Sequence, residues 1–368
     1  MDFDDDRWAD ILKKITFSEM LALVNNGAFQ TIAIGSIGKN LTNDSDGPIG
    51  FVNFMGGAVT AIFSGNTNFV SEIVIGSTWN KSLGYEMGKI VGENGLWGDT
   101  SGNNSLPYSG WYAPAVNLHR SPFSGRNFEY YSEDPILSGK MAVNVITGAR
   151  SKGVYTDLKH FVLNDQETNR AGVSTFCTEQ ALRELYLKPF ELAVKGHDDV
   201  NLVKSANDDG LTAYKGTTGI MSSFNRIGNK WTGGDYRLLT EVLRNEWGFK
   251  GLVICDYKTD NTFMNSRQML YAGNDLILTS TSITMWNDAK ADNAKDVTIL
   301  QQATKNILYT VANSNSIQIK ILGYKAEWWV TTIIVADVVI FTGLAVWGVF
   351  AFLRFFKRRK ALANAPAK

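Results

Sequence analysis

The sequence is short of cysteine and proline, and it has no excess of charge of either sign. Its two cysteines, Cys177 and Cys255, are too few for a disulfide framework or for a four-ligand zinc site. The 36 basic and 36 acidic residues cancel, so the chain lacks the charge expected of a nucleic-acid-binding protein. Its 44% hydrophobic residues exclude a disordered chain. We therefore predict a globular protein without a nucleic-acid partner.

Sequence repeats and phosphate-binding loops are also absent. No period of roughly 20–50 residues recurs, which excludes solenoids and propellers. Neither G-x-G-x-x-G nor G-x-x-x-x-G-K-[ST] occurs between a predicted strand and a predicted helix. A doubly wound nucleotide-binding fold therefore has no support in the sequence.

Short apolar runs that end in polar residues alternate with helical patterns along the chain. The runs occupy residues 113–120, 154–160, 219–225, 252–256 and 275–279, and the helical patterns residues 178–193, 238–243 and a segment after Asn287. Buried strands that alternate with helices indicate parallel βαβ units. Polar residues at the strand ends match the active face of a (β/α)8 TIM-type barrel, which we predict as the fold. Residues 196–219 are predicted as an exposed loop, with a lid over that face as the alternative.

The C-terminal region has a different composition. Residues 328–353 are apolar except for Asp337 and a few Thr and Gly, and this exceeds the roughly 20 residues that span a bilayer. Trp328 and Trp329 lie at one end of the run, and the basic residues 357–360 follow its other end. This asymmetry predicts one transmembrane helix with a cytoplasmic C-terminus and an extracellular soluble part. The N-terminus shows no secretory signal, which leaves the export of that part unexplained.

Ionisable residues concentrate in four places. These are His119 and Arg120 with Arg126, the pair Lys159 and His160, a predicted turn at residues 44–48, and Asp256. Asp256 directly follows four apolar residues, so its carboxylate would be oriented in a dry place where Arg126 and Lys159 can keep it ionised. Such a carboxylate suits nucleophilic attack on a sugar. A helix-capping Asp explains the pattern of this residue equally well.

Several longer motifs resemble glycoside hydrolase family 3, of the β-glucosidase and β-xylosidase type. They are residues 125–135 (GRNFEYYSEDP), residues 46–48 (DGP), residues 243–256 (LRNEWGFKGLVICD), and the run Lys159-His160-Phe161 with Asn164, Gln166, Glu167 and Arg170. The motifs occur in the family's order between about Arg7 and Thr279. Members of the family carry this part as a (β/α)8 barrel, so the resemblance implies the same fold.

The resemblance also implies roles for single residues. Asp256 would be the nucleophile that forms a glycosyl-enzyme ester. The residues implied to bind the sugar in the −1 subsite are Asp46, Arg126, Lys159, His160 and Phe224. Asn117, Arg120 and Arg170 are expected to contact these side chains and not the sugar itself. Phe224 stands where many members have a tyrosine, so a hydroxyl that could donate to the nucleophile is missing. Residues 133–134 are interpreted as an acidic pair at a helix start. No cofactor and no metal are implied.

The general acid/base is the missing part of the resemblance. In two-domain members it is a glutamate on an α/β sandwich domain, and the predicted membrane span follows the barrel too closely for such a domain. Some bacterial relatives place the sandwich before the barrel and a membrane anchor at the end, so the chain resembles the C-terminal part of such a protein. A sandwich domain or subunit that carries the acid/base is therefore an expected partner, besides the membrane and a β-glycoside or oligosaccharide substrate.

Two functions remain open at this stage. The first is a membrane-anchored, exo-acting retaining β-glycosidase of the bacterial cell surface. The second is a catalytically incomplete cell-surface module that only binds sugar. The predicted organisation is a helical lead-in (1–20), the barrel (21–315), a stalk (316–327), the transmembrane helix (328–353) and a basic cytoplasmic tail (354–368).

Overall fold

The computed structural model describes residues 2–51, 67–98, 107–196, 216–259, 261–279, 284–318 and 328–363. The chain divides into two compact units, Met1–Gln318 and Ile319–Lys368. The predicted loop at 196–219 lies almost entirely outside the described residues, since 197–215 are not among them.

The first unit alternates helices and strands. Its α-helices are α1 (Arg7–Leu12), α2 (Phe17–Asn25), α3 (Glu72–Ser77), α4 (Lys81–Trp97), α5 (Pro135–Arg150), α6 (Glu179–Ala181), α7 (Lys188–Lys195), α8 (Ser266–Ala272), α9 (Ala294–Ala312) and α10 (Asn315–Gln318). Its strands are β1 (Asn43–Asp46), β2 (Tyr108–Tyr112), β3 (Tyr155–Phe161), β4 (Ser174–Thr175), β5 (Gly219–Ser222), β6 (Arg226–Ile227), β7 (Lys230–Trp231) and β8 (Leu252–Cys255). Short 3₁₀ turns occupy Gly35–Ile37, Asn127–Glu129 and Thr232–Gly234, and π-helices occupy Leu182–Tyr186 and Arg237–Glu246.

Five strands form one parallel sheet in the order β1-β2-β3-β5-β8. All residues of β3, β5 and β8 are buried, as expected for a sheet that is covered on both faces; β5 and β8 are apolar or small throughout, whereas β3 also contains Asp157, Lys159 and His160. Helix α5 precedes β3 and packs against α4 and α7. The strands β4, β6 and β7 form a second, small sheet.

Backbone hydrogen bonds continue from β8 towards β1 and curl the main sheet. They pass through the segments next to Leu276 and Phe29, which the structure does not assign to longer strands. The bonds are Cys255 N to Leu276 O (3.1 Å), Ile277 N to Val24 O (2.9 Å), Gly27 N to Ile277 O (3.0 Å) and Asp44 N to Phe29 O (2.8 Å). The predicted α/β fold with a curled parallel sheet is confirmed, whereas the count of eight barrel strands stays a prediction.

Three predicted elements differ from the structure. Residues 44–48 do not begin as a turn, because Asn43–Asp46 form strand β1 and its polar side chains face partners inside the protein. The strand predicted at 113–120 lies earlier, at Tyr108–Tyr112, and Ala115 contributes only isolated bridges. The helix predicted at 178–193 is interrupted by the π-helical turn Leu182–Tyr186.

The second unit contains one helix, α11 (Trp328–Ala363), among its described residues. Within it, the segment Val335–Arg359 contains an 18-residue window with a mean hydropathy of 2.1, and no part of that window is buried. By length and composition, this helix is able to cross a membrane.

Candidate active site

The carboxyl ends of the parallel strands bring several predicted site residues together. Asp46 is the last residue of β1, and Lys159 lies near the end of β3. The Lys159 Nζ atom donates a hydrogen bond of 2.6 Å to Asp46 Oδ1, which also accepts one of 2.7 Å from Gly47 N. Lys159 is only 2% exposed. Both partners belong to strands, so this partly buried ion pair joins the ends of β1 and β3.

Glu129, a residue that the sequence analysis did not select, joins the two predicted cations. Arg126 Nε donates to Glu129 Oε1, and Lys159 Nζ lies 3.7 Å from Glu129 Oε2. Glu129 is almost fully buried and contacts both cations. The spacing of Arg126 and Glu129, three residues apart in the GRNFE motif, was the available signal.

Asp256 follows β8 and is 8% exposed. Its backbone N donates to Ser222 O (3.1 Å), and its Oδ1 atom accepts a 2.7 Å bond from Tyr257 N. Within the described part of the chain, Asp256 Oδ2 is buried and has no hydrogen-bond partner. Burial raises the pKa of Asp256 to about 6, although Arg126 and the Tyr257 backbone amide lower it. Burial therefore outweighs the cations, but the carboxylate is still mostly ionised at neutral pH.

His160 is the predicted site residue nearest to this carboxylate in the structure. Its Nε2 atom lies 3.9 Å from Asp256 Oδ2. The side chain of Asn117 fixes the His160 backbone by accepting from its N (2.8 Å) and donating to its O (3.0 Å). Burial, and then Arg126 and Lys159, hold the pKa of His160 well below its usual range. A neutral imidazole is thus available to hydrogen-bond a sugar hydroxyl.

Phe224 lies beside a second charged cluster. The Arg170 guanidinium sits 4.5 Å from the centre of the Phe224 ring, and Arg170 donates to Glu167 Oε2 at 2.8 Å. Glu167 Oε1 is 3.7 Å from Arg126 Nη1. Glu167 therefore links Arg170 to the Arg126 side of the site through contacts with both guanidinium groups.

The pair His119 and Arg120 and the acidic pair at residues 133–134 have structural roles and do not line the site around Asp256. His119 Nε2 donates to the carbonyl oxygen of Tyr130 (2.8 Å), and Arg120 Nε donates to the Tyr186 hydroxyl (3.0 Å). Asp134 caps α5, because its Oδ1 accepts from the first free amides of that helix (2.7 and 2.8 Å). The interpretation of residues 133–134 as a helix start is confirmed.

The arrangement has the parts needed for covalent attack on a bound sugar. One carboxylate has a free oxygen, while Asp46, Glu129 and Glu167 are each bonded to cations. Paired carboxylates and fixed basic groups can bind vicinal hydroxyls in a defined orientation. Among the described residues, no three His, Cys, Asp or Glu side chains form a cluster that could hold a metal ion.

Comparison with known proteins shows which family the chain resembles. Residues 48–313 match the family profile described as glycosyl hydrolase family 3 N-terminal domain. A β-glucosidase of Rhizobium radiobacter is 37% identical over 252 residues, which cover 67% of this chain and 27% of that protein. β-Glucosidase A of Butyrivibrio fibrisolvens is 32% identical and covers 73% of this chain and 29% of its own length. This chain therefore spans less than a third of these two relatives.

A similar fold is found in a solved structure. β-Glucosidase 3B from Thermotoga neapolitana, in complex with glycerol, superimposes with a TM-score of 0.68 at 32% identity. The match covers 85% of this chain and 44% of that one.

Proposed function

Because the chain belongs to glycosyl hydrolase family 3, we propose that it is an exo-acting, β-glucosidase-like retaining glycosidase with Asp256 as its nucleophile. The observation that carries the proposal is the oriented, buried Asp256 with one unpartnered oxygen beside His160 and Arg126. In the first step, Asp256 Oδ2 forms an ester bond to the anomeric carbon while the glycosidic C–O bond breaks. Water then hydrolyses the ester, and the overall configuration is retained.

The sugar in this proposal is held by the residues that surround the nucleophile. The Asp46 carboxylate accepts hydrogen bonds from sugar hydroxyls, and the Lys159 and Arg126 side chains donate them. The neutral His160 ring has one donor and one acceptor nitrogen. Phe224 supplies an apolar side to the site. Bonds to hydroxyls that shorten as the oxocarbenium ion forms would stabilise the transition state more than the bound substrate.

The leaving-group oxygen needs a proton, and we propose that a domain outside this chain supplies it. A retaining mechanism places the acid about 5–5.5 Å from the nucleophile. Among the described residues, the other carboxyls of the site, those of Asp46, Glu129 and Glu167, each contact a cation, an arrangement that does not suit a general acid. The relatives are more than three times as long as the matched region, so they have room for such a domain.

The finer architecture belongs to the same proposal. We propose a complete (β/α)8 barrel over residues 21–315 and a membrane anchor over residues 328–353, with the barrel outside the cell and the basic tail in the cytoplasm. The helix Val335–Arg359 supports the anchor by its length and hydropathy. The reversed order, with a sandwich domain before the barrel, is part of the proposal as well.

Aryl glucosides of different leaving-group quality test the proposed function. The full chain should release dinitrophenol from dinitrophenyl β-glucoside, which needs little acid assistance, but should barely cleave an alkyl β-glucoside. Asp256→Asn should lower the rate on the activated substrate at least about a thousand-fold while glucose binding persists. Glucose binding without any release of dinitrophenol, even with a sandwich domain added, would identify a sugar-binding module instead.

A further inference from the structure

Glu72, the first residue of α3, is a buried acid that the proposed mechanism does not use. It is 1% exposed, between the half-buried Ser71 and the exposed Ile73. Its Oε1 atom accepts a 3.3 Å hydrogen bond from the backbone N of Ala115. Its Oε2 atom is buried and has no partner within the described ranges. Burying a carboxyl with an oxygen that lacks a hydrogen bond costs folding free energy. The presence of Glu72 here therefore calls for a functional explanation.

The contact with Ala115 lies where two parts of the site meet. Ala115 forms parallel bridges to Lys159 on one side and to Tyr130 on the other. Helix α3 also packs on the turn Asn127–Glu129, and it approaches so closely that a Cβ atom on Gly76 would lie 2.5 Å from the Tyr131 carbonyl oxygen. Glu72 therefore bonds the backbone that fixes the separation of Lys159 and Glu129.

The charges around Glu72 are already balanced. Lys159 is bonded to Asp46, and Arg126 to Glu129, so no cation remains to compensate a further buried carboxylate in this group. Burial raises the pKa of Glu72 well above its usual range, and the neighbouring Glu129 raises it further, whereas Lys159 and Arg126 lower it. Tyr131 is the other titratable group beside it.

We propose that Glu72 is a positioning residue that holds the Ala115 backbone and thereby the spacing of Lys159 and Glu129 in the sugar-binding site. Only its kinetic consequence rests on the proposed function. Its uncharged state and its contact with Ala115 do not depend on any activity of the chain.

Two substitutions of Glu72 test whether its hydrogen bond to Ala115, and not a negative charge, supports the site. With dinitrophenyl β-glucoside, Glu72→Gln should keep kcat/KM of the full chain within about two-fold, because an amide accepts from Ala115 N and carries no charge. Glu72→Ala should lower kcat/KM at least about ten-fold, mainly through a higher KM. The control Glu86→Ala, which removes an exposed acid from α4, should change nothing.

Two results would overturn the proposal: a Glu72→Gln variant as impaired as Glu72→Ala, or a Glu72→Ala variant equal to the parent chain. Infrared difference spectroscopy gives an independent readout. At neutral pH, the parent chain should show a protonated-carboxyl stretch that is missing in Glu72→Gln, and its absence from the difference spectrum would also overturn the proposal. A parent chain that shows this band but never cleaves the aryl glucoside would contradict the proposed function alone.

Discussion

The interior of the curled sheet contains two acidic layers that differ in their counter-charges. Strands β1 and β3 each contribute to both layers, because alternate residues of a strand point to the same face. Asp46 and Lys159 lie at the strand ends and form an ion pair of 2.6 Å. Two residues earlier in each strand, Asp44 and Asp157 are both fully or almost fully buried, and Asp157 has no hydrogen-bond partner in the part that the structure describes.

Within the described ranges, the inner acids lack a cationic partner of the kind that Asp46 has in Lys159, so burial raises their pKa values. Burial raises the pKa of Asp44 to about 6, against the bond of 2.6 Å from the Tyr155 hydroxyl, and burial together with Asp44 raises the pKa of Asp157 well above its usual range. In the inner layer, Asp157 therefore keeps its proton at neutral pH and Asp44 loses its proton only above about pH 6, whereas the outer layer contains the ion pair of Lys159 with Asp46. The outer layer can recognise sugar hydroxyls, while the inner one only packs.

The largest expected effect comes from removing the cation of the outer layer. Lys159→Met leaves Asp46 and Glu129 without their shared partner, so we expect a loss of about 3–5 kcal/mol in the free energy of unfolding. Urea denaturation measures this loss. Lys89→Met, which breaks an exposed pair with Glu86, is the matched control and should cost less than about 1 kcal/mol. Equal effects of the two variants would contradict a distinct outer layer.

The second effect is a pH dependence of stability that comes from Asp44. Its pKa is about 6 in the folded chain and about 3.9 when unfolded, so between these values the folded state keeps a proton that the unfolded state loses. Stability from this group is thus complete below about pH 4 and is lost as the pH rises through 6. Relative to Asp44→Asn, the parent chain should lose on the order of 2 kcal/mol of unfolding free energy from pH 4 to 7. Parallel stability curves for both proteins would refute the raised pKa.

A smaller effect concerns activity at acid pH. Asp256 must be ionised to attack, and its pKa is raised to about 6, so kcat/KM for dinitrophenyl β-glucoside should fall about ten-fold per unit below pH 6. The measurement is a pH profile under conditions where the chain stays folded. An acidic limb near pH 4 would show that the cations outweigh burial.

The smallest effect is expected for Asp157→Asn in the inner layer. An uncharged acid and an amide have similar size and polarity, so the free energy of unfolding should change by less than about 1 kcal/mol at neutral pH. Thermal and urea denaturation both test this. A loss comparable to that of Lys159→Met would mean that Asp157 carries a compensated charge.

The sequence predicted the apolar strands better than the polar one. Strands β3, β5 and β8 begin within one residue of their predicted positions. Strands β5 and β8 are short buried apolar runs, and β3 follows the apolar Val154 and combines apolar residues with Asp157, Lys159 and His160. Strand β1, Asn43–Asp46, contains only polar residues and was predicted as a turn. Its side chains are accommodated by Tyr155 and Lys159 from β3, more than a hundred residues away, and no local pattern reveals such partners.

The motifs likewise predicted the residues of the candidate site but not the acids that contact them. They predicted Asp256, Asp46, Arg126, Lys159 and His160, which the structure places in one connected group. Glu72 stands alone in an otherwise apolar and small-residue segment, and its meaning depends on its contact with Ala115. An isolated acid in such a segment is a signal of burial, but only the fold identifies its partner.

Covalent trapping tests the central claim most directly. The folded full chain is incubated with 2-deoxy-2-fluoro-β-glucosyl fluoride, whose fluoride leaving group needs no acid, and digested peptides are analysed by mass spectrometry. We predict a single fluoroglycosyl ester on Asp256, absent from Asp256→Asn. A folded chain that stays unlabelled, or that carries the label on another residue, would contradict the account.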